Sequence, residues 1–139
     1  MKKVTTTLRV RRGAKSPPAL GRHTLLEFSG CDPERLRRVR GVRSAMIEAA
    51  RRADGTIVRA VFHSFSPWGV SGVVVISESH LTIHTWPEHQ FAAVDVFSCG
   101  PRLRHDAVRR FLKEALGAKR VTGRVVLRGR GVPGRSGPA

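Results

Sequence analysis

Ser77-Glu78-Ser79-His80-Leu81-Thr82-Ile83-His84-Thr85-Trp86-Pro87-Glu88 follows the apolar run Gly69-Val70-Ser71-Gly72-Val73-Val74-Val75-Ile76 and precedes Ala92-Ala93-Val94-Asp95-Val96-Phe97-Ser98-Cys99-Gly100. His80 and His84 are four positions apart, a spacing that on a helix suggests a pair of metal ligands. The neighbouring residues favour a strand instead: Thr82, Ile83, Thr85 and Trp86 suit an extended chain, and Pro87 ends it. On a strand, His80, Thr82, His84 and Trp86 share one face, and Ser79, Leu81, Ile83 and Thr85 share the other. The bland reading of the block is a solvated strand end with surface histidines. Against it stands a hydroxyl, two imidazoles, two carboxylates (Glu78 and Glu88) and the Cys99 thiol in one short span, chemistry that a packed core does not need.

Working outward, the pattern reads β-α-β-β-β-β-α-β. A strand is expected at His23–Phe28. Asp32-Pro33-Glu34 is a helix start, with Asp as N-cap and Pro at the first helical position. Gly41 is expected to break or bend that helix. Val42, Met46, Ala49, Ala50 and Ala53 then recur at helical spacing. Asp54-Gly55 turns the chain. Strands follow at Thr56–Phe65, Val70–Ser77, His80–Trp86 and Phe91–Phe97, with the middle two open to being continuous through Glu78. Val108, Phe111, Leu112, Ala115 and Leu116 mark a second helix over Leu103–Leu116, stopped by Gly117. Val121–Leu127 is a last strand. The fold class is α+β: a two-layer sandwich, mainly antiparallel sheet, with two helices on one face.

The chain has 139 residues, one domain of ordinary length, and is 40% hydrophobic, enough for a core. No apolar run approaches the length of a transmembrane helix, and no secretory signal is visible. Cys31 and Cys99 are too few for a disulfide framework and fit free thiols in a reducing cytoplasm. The formal charge of +16 raises a nucleic-acid reading. The positive charge is concentrated at the two ends, however. Segment 53–101 carries Arg59 against Asp54, Glu78, Glu88 and Asp95, and holds most of the aromatics. No specific nucleic-acid surface is expected. Residues 1–19 read as a basic disordered extension and 129–139 as a disordered basic tail, around a domain at 20–128.

The order of motifs closely resembles the prokaryotic S-adenosylmethionine decarboxylase proenzymes. The resemblance runs from Gly21-Arg22-His23 and Cys31-Asp32-Pro33-Glu34, through Phe65-Ser66-Pro67, Gly69-Val70-Ser71-Gly72, Glu78-Ser79-His80, His84-Thr85-Trp86-Pro87-Glu88 and Asp95 to Gly100, to Leu112–Leu116. It implies a two-layer fold paired into a homodimer. It also implies scission of the Glu78–Ser79 bond into chains 1–78 and 79–139, with Ser79 converted to a pyruvoyl group that holds substrate as a Schiff base.

By the same resemblance His84 is the processing base, Ser71 stabilises the cyclic intermediate and Cys99 is the proton donor in turnover. Phe65 stacks adenine, and Glu88 is a pocket carboxylate facing the substrate S-adenosylmethionine. Taken alone, Ser71 reads as a turn serine, Cys99 as a small buried hydrophobe and Phe65 as core packing. No metal is implied. Decarboxylation needs an electron sink; the motif holds no lysine for pyridoxal phosphate, so a carbonyl made from the chain fits. Two alternatives stand beside this. The same scaffold could act on arginine or ornithine, or the chain could be a non-enzymatic basic nucleic-acid-binding domain. Trp68 departs from the family pattern, where a smaller polar residue is expected.

Overall fold

Alternation along the strands positions everything else. In the computed structural model, which describes residues 18–133, six strands form one sheet. They are β1 (Gly21–Ser29), β2 (Ile57–Ser64), β3 (Val70–Ile76), β4 (Ser79–Trp86), β5 (Phe91–Ser98) and β6 (Arg120–Arg128), in the order β2-β3-β4-β5-β1-β6. Every neighbouring pair is antiparallel. One face presents Thr24, Leu26 and Phe28 from β1, Val70, Val74 and Ile76 from β3, Leu81, Ile83 and Thr85 from β4, and Ala92, Val94 and Val96 from β5, all buried. Side chains alternate on a strand, so this face is set by the period-two pattern of the sequence.

The helices cover that face. Helix α1 (Pro33–Arg37) is a short turn capped by Asp32, whose side chain accepts from the Glu34 N–H, with Pro33 at its start. Helix α2 (Val39–Arg52) buries Val42, Met46, Ala49 and Ala50, and helix α3 (His105–Ala115) buries Ala107, Val108 and Leu112. The expected break at Gly41 does not occur. Helix α2 runs straight through it, and the break falls at Arg38, which is extended (φ −91°, ψ 112°). Among the described residues, a methyl group at Gly41 would meet nothing within 4 Å outside its own helix backbone. A solvent-facing glycine inside a helix costs only about 1 kcal/mol, too little to end a helix held by its packed face. The helix layer therefore has three members, α1 being a short lead-in to α2. Gly117 (φ +63°) ends α3, as its left-handed backbone requires.

The strands β3 and β4 are not continuous through Glu78. Ile76 pairs with Ser79, so Ser77 and Glu78 form a two-residue hairpin turn. The other face of the sheet carries Ser71, Val73 and Val75, then His80, Thr82, His84 and Trp86, then Phe91, Ala93, Asp95 and Phe97. Among the described residues no helix covers it. Val75 and Trp86 are 38% and 40% exposed there. Of the expected tail, residues 129–133 form a turn, with the Gly131 N–H donating to the Pro18 carbonyl. The rest of the tail and residues 1–17 of the extension lie outside the described residues.

Gly72 allows the closest approach in the sheet: a methyl group there would overlap the Phe62 ring, which packs against the core. Gly72→Ala should cost about 1–3 kcal/mol, read by urea unfolding of the uncut Ser79→Ala chain. The cost should shrink in a Phe62→Ala background, where the overlapping ring is gone.

Candidate active site

The β3–β4 turn places its residues by hydrogen bonds on both sides. The Ser77 N–H donates to the Thr56 carbonyl at 2.9 Å. The Glu78 carboxylate accepts from the Thr56 N–H at 3.1 Å and from its hydroxyl at 3.2 Å. Burial opposes ionisation of Glu78, but the bonds from Thr56 and the charge of Arg102 outweigh it and hold the carboxyl below its ordinary range. The Glu78 carbonyl oxygen accepts from the Cys99 N–H at 2.9 Å. Ser79 has φ +150°, a conformation that residues with a side chain rarely adopt. Its hydroxyl lies 3.2 Å from His80 Nδ1. The carbonyl of the Glu78–Ser79 bond is thus polarised by a fixed donor, in a strained turn, with an imidazole beside the adjacent hydroxyl.

Cys99 owes its position to the end of β5. Ser98 pairs across β4 with Ser79 and across β1 with Arg22. Its hydroxyl lies 2.7 Å from His105 Nε2, and the Thr24 hydroxyl lies 2.7 Å from His105 Nδ1. All three side chains are buried. The Cys99 thiol is exposed. Cys31 is the contrasting thiol: buried in the core, with burial pushing its pKa up to about 11.

Ser71 and His84 sit together elsewhere. They are partners in the β3–β4 register, and Ser71 Oγ lies 2.8 Å from His84 Nδ1 on the open sheet face. His84 follows Ser79 by five positions on one strand, about 17 Å at strand rise. Phe65 and Glu88 lie farther along. Phe65 follows the Ser64↔Val70 end of the β2–β3 pair, half exposed and edge-on to His63 at 4.6 Å. Glu88 is exposed in the turn after β4. Trp68 stacks beneath the Arg37 guanidinium at 4.6 Å, which ties its loop to α1. Within one chain, then, Glu78, Ser79 and Cys99 gather at one end of β4, and Ser71, His84, Phe65 and Glu88 lie toward the other.

The chain matches the S-adenosylmethionine decarboxylase family over residues 22–129. It belongs to that family. It is 53% identical over 103 residues to the S-adenosylmethionine decarboxylase proenzyme of Thermotoga petrophila, covering 74% of this chain and 79% of the relative. It is 50% identical over 101 residues to the proenzyme of Thermodesulfovibrio yellowstonii, covering 73% and 75%. The crystal structure of the adenosylmethionine decarboxylase from Aquifex aeolicus is similar at TM-score 0.76 and 34% identity, over 86% of this chain and 98% of that one. The expected family and α+β fold are borne out.

Two features escaped the sequence reading of this decarboxylase-family chain. His80 stands in the motif, but the contact to Ser79 appears only once the hairpin closes. The Thr24–His105–Ser98 cluster joins three elements, and no local spacing signals it.

Burial pushes His105 down to about 4, with the nearby Arg22 and His23 charges acting in the same direction. The ordinary value, 6.5, applies when the chain is unfolded. As pH falls below it, the unfolded chain takes up a proton that the folded chain refuses, so stability is lost between about pH 6.5 and 4. The loss should reach about 3 kcal/mol for this one group. Urea unfolding of the Ser79→Ala chain across that window should show the slope, and the His105→Gln form of the same chain should lack that share of it.

Proposed function

We propose that this chain is a self-cleaving, pyruvoyl-dependent S-adenosylmethionine decarboxylase that processes itself at Glu78–Ser79. The observation that carries the reading is the Cys99 N–H donated to the Glu78 carbonyl beside a strained serine. Attack of Ser79 Oγ on that carbonyl carbon puts negative charge on the oxygen already facing a fixed donor. Collapse breaks the C–N bond and leaves an ester with a free amine on residue 79. Removal of the residue 79 α-proton, assigned to His84, then breaks the Cβ–Oγ bond and frees the Glu78 carboxylate as a new C-terminus. Water replaces the nitrogen, ammonia leaves, and a carbonyl remains at residue 79.

The pyruvoyl group so formed supplies the electron sink for loss of carbon dioxide. The residues present fit it: Ser79 is at a solvent-reachable turn, and the exposed Cys99 thiol stands beside it through the Glu78 carbonyl bond. Cys99 Sγ–H is assigned to protonate the substrate α-carbon. Phe65, half exposed, offers a face for adenine, and Glu88 a carboxylate for ribose hydroxyls or the sulfonium charge. The names of the relatives favour S-adenosylmethionine, and nothing in them favours arginine or ornithine. Free Cys31 and Cys99 suit the cytoplasm.

A single chain leaves the site in halves, and a homodimer joins them. Two copies packed open face to open face, with their β4 strands antiparallel, bring Ser79 and Cys99 of one to Ser71, His84 and Phe65 of the other. A two-fold axis makes both sites at once. The uncovered face with Val75 and Trp86 is the surface this requires.

The expressed protein should resolve into chains 1–78 and 79–139 by intact mass, the latter resistant to Edman sequencing. Ser79→Ala should stay whole. Carbon dioxide should be released from carboxyl-labelled S-adenosylmethionine and not from arginine or ornithine. Release from an amino acid instead would keep the cleavage and overturn the substrate.

Trans-complementation separates the composite site from a one-chain site. Ser79→Ala and His84→Ala chains, each defective alone, should form a mixed dimer in which the His84→Ala chain is now cut. A His84→Ala chain that stays uncut in proven mixed dimers would place all the groups in one chain.

A further inference from the structure

The first step of cleavage needs a group to take the Ser79 hydroxyl proton, and His84 is placed for a different proton. We propose that His80 is the general base for the attack of Ser79 on the Glu78 carbonyl. The inference rests on cleavage at Glu78–Ser79 and adds a catalytic residue to it.

Among the described residues, His80 is the side chain in hydrogen-bond contact with the Ser79 hydroxyl, Nδ1 to Oγ at 3.2 Å. That is within the reach a base requires. The carboxylate nearest in sequence, Glu78, is engaged by two bonds to Thr56. His84 of the same chain is five positions away; the partner's His84, which the proposed dimer brings to Ser79, is assigned the Cα proton, and its Nδ1 is bonded to Ser71. The His80 ring rests against Phe97, centroids 5.5 Å apart at 44°, which fixes the ring while leaving Nδ1 toward Ser79.

The role needs the tautomer with its proton on Nε2, so that Nδ1 carries the lone pair. Nδ1 then takes the hydroxyl proton as the Oγ–C bond forms. The Cys99 N–H holds the developing oxyanion. When the C–N bond breaks, the same proton passes from Nδ1 to the departing nitrogen of residue 79. An amide has become an ester, His80 is restored, and no net proton is consumed. His80 and His84 thus divide the work: one moves the Oγ proton, the other the Cα proton.

The test follows freshly translated or refolded chains by denaturing gel and intact mass, with and without neutral hydroxylamine, which cuts esters and spares amides. His80→Asn keeps a hydrogen-bonding atom where Nδ1 stood but cannot take the proton. It should slow processing by a factor of about 10²–10⁴. Its uncut chain should be hydroxylamine-resistant, because the amide has not been opened. His84→Ala should accumulate a hydroxylamine-sensitive ester, because it fails one step later.

His80→Ala should regain processing when imidazole is added, which a packing defect would not. Thermal melting beside the Ser79→Ala chain selects the folded variants for these readings. His80→Asn that processes at the wild-type rate, or a slow His80→Ala that imidazole leaves unchanged, would overturn the assignment and leave His80 as a neighbour of Phe97. A wild-type chain that is never cut at this bond would sink the cleavage reading itself.

Discussion

The hydrogen bond from the Cys99 N–H to the Glu78 carbonyl holds this structure's chemistry together. It links the β3–β4 turn to the residue that follows β5. One donor therefore fixes the carbonyl of the proposed scission bond and places the thiol assigned to later protonation beside the same bond. Such a contact is worth little to stability, on the order of 1 kcal/mol. Its value is directional, because a fixed donor needs no rearrangement when charge develops on the oxygen. Ser79, held at φ +150°, adds strain of about 1–3 kcal/mol at the residue proposed for conversion.

That donor stays in place because the covered face of the sheet carries polar anchors among its apolar residues. The His105 ring joins Thr24 on β1 to Ser98 on β5 at the first residue of α3. At the other end, the Thr85 hydroxyl accepts from the Val70 N–H and donates to the Leu36 carbonyl, binding β3 and β4 to α1. No buried side-chain polar atom is left without a partner among the described residues. Buried networks of this kind specify geometry when every member is satisfied. Each lies beside one of the two groups of candidate residues.

The sequence made β1, β4 and β5 legible because buried and open residues alternate along them, β3 because it is a bounded apolar run, and α2 and α3 because their apolar residues repeat at helical spacing. Gly41 misled because propensity is a weak signal beside the buried Val42, Met46 and Ala49. The hairpin at Glu78 was ambiguous because Ser77-Glu78 carries no glycine or asparagine to mark a tight turn. Ser79, Cys99, Ser71 and His84 stood out as residue types in a recognisable order. Their separation into two groups was also implicit, since five positions on a strand are a fixed distance. Seeing it required knowing that β3 and β4 fold back at Glu78. The contact of His80 with Ser79, and the bridge through His105, depend on side-chain placement between elements, which no spacing along the chain records.

Charge bears on the proposed pairing through the open face. The segment from residue 53 to 101, poor in basic residues, builds four of the six strands. The arginines concentrate on the helix layer, among them Arg35, Arg37, Arg51, Arg52, Arg104, Arg109 and Arg110. Several meet acids on that same layer: Arg37 with Glu34, Arg52 with Glu48, Arg104 with Asp54 and Arg110 with Asp106. Such exposed pairs add little stability, but they leave the helix layer hydrated and positive. Two helix layers of the same charge resist each other, and a chain at +16 carries that repulsion at any contact made through them. The middle of the open face offers the opposite balance. Val75 and Trp86 are apolar and exposed, and the Asp95 carboxylate is already engaged by His23 and Thr82. By register the edge strands add Arg59 on β2 and Arg120, Arg124 and Arg128 on β6 to that face, so the proposed pairing would centre on β3, β4 and β5, where the face is poor in charge.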